Sequence, residues 1–182
     1  MTGTVYLSFN AGVSQKTAQT LLAVMFQQIA EGFDHIYIMF STSGGTVSDG
    51  ITLYNSIRSM PAKVTMHNVG NVDSIGNAIF LGAKERFACQ HSTFMFHGVG
   101  RDLSGWYDER PLREYLEGTL ADQRRIGAII AENTSLKFEQ INNFFSTAQT
   151  KDADFAVEHG IAHEIRDVVI PTGAPVIPLV FD

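Results

Sequence analysis

Apolar residues recur along this chain in two alternating rhythms, one with the period of a strand and one with the period of a helix. Residues 5–9 (VYLSF) form a short apolar run of strand length. Ser14 follows as a cap. Ala18, Leu21, Leu22, Met25, Phe26, Ile29 and Ala30 then form an i, i+3, i+4, i+7 stripe, which predicts a helix closed by Gly32. Residues 35–40 (HIYIMF) are nearly continuous in apolar character, as suits a strand buried on both faces. The turn "STSGGTVSDG" (41–50) feeds a helix over 48–59, which Pro61 stops. Residues 63–69 predict a third strand, 74–81 a helix, and 85–89 and 93–96 two more short strands. A polar, glycine-bearing loop covers 98–109. Pro111, well suited to a first helical position, opens a long helix reaching about Asn133. Two shorter helices follow, over 136–145 and 152–159, and Gly160 ends the second. Residues 162–169 predict a last strand, and the tail, with Pro171, Pro175 and Pro178, reads as irregular. Strands and helices alternate through the first half, which argues for an α/β fold in a single domain spanning 1–182.

The 182 residues suffice to bury a sizeable core. Net charge is −6, and no cluster of Lys and Arg exists to follow a phosphate backbone, so nucleic acid is not an expected partner. No apolar run reaches membrane-spanning length, and the start, MTGTVYLSF, lacks the pattern of a signal peptide. Cys89 is the single cysteine, which rules out an intrachain disulfide. These features predict a cytoplasmic protein.

Three features fall where strands hand over to helices or loops: the pair Gly44–Gly45, Ser74 in "GNVDSIGNAIFLGA" (70–83), and His97 at a strand end. Ligands gather at such transitions in α/β folds. Acyl transfer needs a nucleophile, a base for its proton, and N–H donors for the oxyanion. Ser74 can supply the first and His97 the second. The Ile75 N–H and the positive end of a helix starting at Ser74 can serve the third, and glycine at 45 lets bare backbone approach a carbonyl. Each feature also has an ordinary structural use: serine caps helices, histidine ends strands, and glycine pairs turn chains. The G-x-S-x-G elbow of α/β-hydrolases is absent, because Val72 stands at the first glycine position. No H-E-x-x-H, C-x-x-C or phosphate-binding loop occurs, and His159 and His163 straddle Gly160, a poor metal pair. No cofactor or metal is expected.

The order "STSGG" (41–45), "GNVDSIGNAIFLGA" (70–83) and "STFMFHG" (92–98) resembles the Clp protease proteolytic subunit family. That family shows a Ser-Pro-Gly-Gly turn, a G-x-x-x-S-x-G nucleophile motif and a strand ending in Met-Ile-His, in this order. The pieces within "FEQINNFF" (138–145) and "DADFAVEHGIAHEI" (152–165) match its region after the long helix. The resemblance implies a ClpP/crotonase-like spiral of ββα units with a protruding long helix. It implies Ser74 as nucleophile, His97 as base, and the N–H groups of Gly45 and Ile75 as oxyanion hole. It further implies a peptide substrate bound as an added strand, and self-association into a heptameric ring or double ring interlocked by the long helix.

Three departures stand out. Ser43 replaces the turn proline. The segment that faces an ATP-driven unfoldase has no counterpart at the start of this sequence, which makes that partner doubtful. The position matched to the triad aspartate is Phe144, whose ring cannot accept a histidine N–H; Asn143 is a possible third member instead, and Asp102 a further substitute. The expected function is therefore a serine-type endopeptidase acting on small or unfolded peptides. The alternatives are a catalytically weak or inactive oligomeric scaffold, or a crotonase-type CoA-thioester enzyme using carboxylates such as Asp73 or Glu85.

Overall fold

In a computed structural model, which describes residues 3–181, the predicted cap at Ser14 forms in full. The Ser14 hydroxyl accepts from the Thr17 N–H at 3.3 Å, and the Thr17 hydroxyl accepts from the Ser14 N–H at 2.9 Å. This box starts α1 (Gln15–Ala30), and Gly32, at φ 96°, takes the left-handed exit that its lack of a Cβ permits. α1 lays Ala18, Leu21 and Met25 on a sheet whose central strands are β1 (Thr4–Asn10) and β2 (His35–Thr42). These pair in parallel from Thr4 opposite His35 to Asn10 opposite Ser41. α2 (Val47–Ser59) returns the chain to β3 (Lys63–Asp73), parallel to β2. The fold class is α/β, as expected.

β3 is four residues longer than its apolar pattern suggests, and it serves two partners. Its first half, Thr65–Asn68, pairs with β4 (Glu85–Ala88); its last three residues, 71–73, pair with β5 (Thr93–Phe96). α3 (Gly76–Leu81), a single buried turn and a half, connects β3 to β4. α4 (Glu109–Asn133) starts earlier than Pro111, because Asp108 accepts the Arg110 N–H at 3.2 Å as its cap. α5 (Phe138–Thr147), β6 (Gln149–Asp152) and α6 (Ala153–Glu158) follow. β6 was not expected: its residues are polar, and only antiparallel pairing with β5 makes them a strand. β7 is reduced to Glu164–Ile165, and the tail contributes β8 (Val176–Pro178) beside β1, with Pro178 on the sheet's outer edge. The order β6-β5-β3-β2-β1-β8 describes the main path, with β4 and β7 branching from β3. No helix among the described residues is long and apolar enough to cross a membrane.

The sheet face away from α1 holds Tyr6, Tyr37 and Phe87 around a buried histidine. His67 accepts from the Tyr37 hydroxyl at Nδ1 (2.6 Å) and donates from Nε2 to the Arg166 carbonyl (2.9 Å). A carbonyl can only accept, so the proton sits on Nε2 and the ring is neutral. Burial lowers the pKa of His67, and does the same for His35 and His163. Below the ordinary value near 6.5 the unfolded chain binds protons at these rings and the folded chain withholds them, so stability rises with pH through that window. Melting temperatures measured between pH 7.5 and pH 5 are expected to fall steadily; a flat profile would contradict the buried neutral ring.

Candidate active site

Three parallel strands deliver the site. β2 ends with Thr42 opposite Val72 of β3, and β3 ends with Asp73 opposite Met95 of β5. The segments that follow, Ser43–Gly45, Ser74 and His97, therefore leave the sheet at the same edge. They line a common cavity of about 230 Å³, closed by Val47, Phe96, Val99, Ile126 and Phe145. The structure thus brings together three residues that lie 29 and 23 positions apart in the chain. A second hollow of about 420 Å³ shares Gly45, Val47, Val99 and Gly100 with the first and extends it towards Arg101 and Asp122.

Ser74 is not a helix cap. Its φ is 57°, a left-handed conformation rare outside glycine, and the residue before α3 is Ile75. Its N–H donates to the Met95 carbonyl at 2.8 Å, which ties the bend to β5. Asn77 reinforces that tie: its Nδ2 donates to the Ser74 carbonyl at 3.1 Å and to the Met95 carbonyl at 2.8 Å. The bend lifts the Ser74 side chain off the strand and into the cavity. α3 is too short, at six residues, to lend the dipole that a helix starting at Ser74 would have offered.

The glycine pair presses against this bend. A Cβ at Gly44 would lie 2.6 Å from the Ser74 Cβ, and one at Gly45 would lie 2.1 Å from the Val13 carbonyl oxygen. Both glycines have positive φ, 82° and 148°. Val13 grips the turn from the other side, donating to the Gly44 carbonyl at 2.7 Å and accepting from the Thr46 N–H at 2.9 Å. Among the described residues neither the Gly45 N–H nor the Ile75 N–H finds an acceptor. Gly45 lines the cavity; Ile75 is fully buried and adjoins it only through Ser74. Ser74 Oγ and the His97 ring make no hydrogen bond to one another.

Neither Asn143 nor Asp102 is brought to the cavity. Both are exposed, and neither bonds to His97. Phe144 is a core residue, with its ring 5.7 Å from that of Phe96 and 5.9 Å from that of Phe155, and the Lys151 ammonium 4.7 Å over its face. The β5–β6 ladder ends with Phe96 opposite Gln149, and beyond it the Gly98 N–H donates to the Phe145 carbonyl at 2.9 Å. The carboxylate whose electrostatics involve His97 is Asp73. Burial raises its pKa, while a hydrogen bond from Asn71 and the charge of His97 pull it back. Motif reading passed over Asp73 as a partner for His97; the parallel β3–β5 register, invisible in the sequence, brings the two near.

A family model described as Clp protease matches residues 3–168. An ATP-dependent Clp protease proteolytic subunit 2 of Pseudomonas aeruginosa is 25% identical over 166 residues, covering 88% of this chain and 82% of its own length. An ATP-dependent Clp protease proteolytic subunit from Chlorella vulgaris is 26% identical over 156 residues, covering 84% of this chain and 77% of its own length. Among solved structures, a ClpP1 point mutant from Listeria monocytogenes superposes with a TM-score of 0.80 at 22% identity, covering 90% of this chain and 91% of that one.

Proposed function

The chain belongs to the Clp protease family, and on that premise we propose that it is a serine peptidase that cleaves small or unfolded peptides by acyl transfer. Ser74 is the nucleophile and His97 takes its proton. The Gly45 and Ile75 amides stabilise the oxyanion. The observation that carries this reading is the convergence of Ser74, His97 and Gly45 on one cavity from three separate strand ends.

The catalytic cycle follows from that arrangement. A peptide lies as an extra strand along the groove between the turn after Gly45 and the segment after His97, where the two hollows join. Ser74 Oγ attacks the scissile carbonyl as His97 accepts its proton. The carbonyl oxygen, now carrying the charge, meets two amides with no competing acceptor. His97 returns the proton to the leaving amine, then activates water to release the acyl group. The left-handed bend and the glycine turn hold these groups in place before substrate arrives, so little reorganisation is needed at the moment of reaction.

Self-association is part of the proposal. Leu112, Leu116 and Leu120 repeat every four residues along α4 and are 46%, 58% and 42% exposed, a stripe left open among the described residues. A ring or double ring built through this helix would cover it.

A fluorophosphonate reagent tests the chemistry. It is expected to label the intact protein at Ser74 alone, as read by peptide mass spectrometry, and His97→Ala should slow that labelling by about 10³-fold or more. A protein that resists the reagent at every pH from 6 to 9 would not be a serine peptidase, and the scaffold reading would replace this one.

A further inference from the structure

We propose that Asp73 is the positioning carboxylate for His97, reached from the nucleophile's own strand instead of from the segment after α5. The inference rests on the peptidase reading of Ser74 and His97 and deepens it.

The placement follows from register. Asp73 and Met95 are parallel partners, so their side chains leave the same face of the sheet. His97 comes two residues after Met95, and two residues restore the same face. Asp73 and His97 are thus diagonal neighbours, and the imidazole's charge reaches the carboxyl group. The opposite face of the same strands carries Val72, Phe94 and Phe96, all buried in the core, which fixes the alternation against a slip.

The carboxylate is held in place. Asn71 Nδ2 donates to Asp73 Oδ2 at 2.6 Å, and also to the Thr42 carbonyl at 3.0 Å. Asn71 is itself anchored through its Oδ1, which accepts from the Ser41 hydroxyl at 3.1 Å. This chain of side chains ties Asp73 to β2 and occupies one carboxylate oxygen. The other, Oδ1, makes no hydrogen bond among the described residues and is available to an imidazole N–H. An imidazole that must accept the Ser74 proton from one nitrogen needs a fixed tautomer and a countercharge near the ring, and Asp73 is placed to supply both.

The test uses the intact protein and two readouts. Fluorophosphonate labelling of Ser74 is measured against pH in the parent and in Asp73→Asn. The His97 ring is titrated by NMR in the Ser74→Ala background, with and without Asp73→Asn. The amide variant is expected to label about 10²-fold more slowly or worse at neutral pH. The acidic limb of its rate profile and the His97 titration should both move to lower pH, because a lost negative neighbour favours the neutral ring. A purely structural role would lower the melting temperature without moving that limb. An unchanged labelling rate together with an unmoved His97 titration overturns the proposal. Should Asp73→Asn fail to fold, the Ser74→Ala protein still decides: the Asp73 carboxyl carbon must show a second inflection at the pH where His97 titrates, and a single step overturns the pairing. If Ser74 of the parent is never labelled while that second inflection is present, the peptidase reading falls and the pairing stands.

Discussion

Ser74→Ala is expected to lower peptide turnover by about 10⁴-fold or more, measured as kcat on a fluorogenic peptide with the binding constant little changed. The size of the drop carries information beyond its sign. In a serine protease whose nucleophile, base and acid act as a unit, removing the serine costs roughly 10⁶ in kcat, whereas removing the acid alone costs roughly 10⁴. A site whose histidine had no carboxylate would already have forfeited that second factor, and deleting its serine would cost only about 10². A loss well above 10² therefore means that the imidazole has a working partner. A loss near 10² means a solitary Ser–His pair, and undiminished turnover means that another group does the chemistry. Because Ser74 Oγ makes no hydrogen bond among the described residues, the substitution leaves no partner stranded. Its melting temperature should stay within about 2 °C of the parent's, and relief of nothing but a hydroxyl separates chemistry from stability.

The second large effect is structural in origin. Gly45→Ala would set a Cβ 2.1 Å from the Val13 carbonyl oxygen, in a backbone conformation of φ 148° that side chains rarely adopt. Neither side can yield cheaply, because the obstacle is backbone that already bonds to Gly44 and Thr46. The turn must open, at a cost of about 2–3 kcal/mol in strain and broken bridging. On the proposed reading the Gly45 amide is an oxyanion donor displaced with the turn, and losing one such donor costs about 10²–10³ in kcat. Denaturant unfolding and peptide turnover should therefore fall together. Gly3→Ala is the control: a Cβ there meets nothing within 4 Å, and both quantities should hold. A Gly45→Ala protein with full stability would mean that the Val13 bridge is not what holds the turn.

The first half of the fold was readable because its signals are local. Ser14 and Thr17 cap a helix whose stripe needs no distant partner to be recognised, and the apolar run at 35–40 has few fates other than a buried strand. What escaped depends on pairing. Val69 and Gly70 end the apolar pattern of β3, yet the strand continues to Asp73 because β5 supplies a second ladder. Gln149–Asp152 has no strand pattern of its own and exists as β6 through β5. Ser74 fits a cap in sequence, since serine before an apolar run is the ordinary signature; the left-handed bend is imposed by Met95 and Asn77, the first of them 21 residues away. Ser74, His97 and the glycine pair were legible as residue types in order. Their convergence and the exposure of Asn143 were not, because each is decided by which face of an element turns inward.

The fork in β3 has one last implication. Its two halves answer to different neighbours, and everything that makes the site a site is the phase in which the far half meets β5. Shifting that ladder by a single residue would send His97 to the side now occupied by Phe94 and Phe96, and no rearrangement of loops could bring it back. The placement of these residues is stored as alignment along a seam more than as contacts in a pocket. A seam closed one notch out would also turn Phe94 and Phe96 away from the core, so the packing that buries these two rings is what holds the alignment in place.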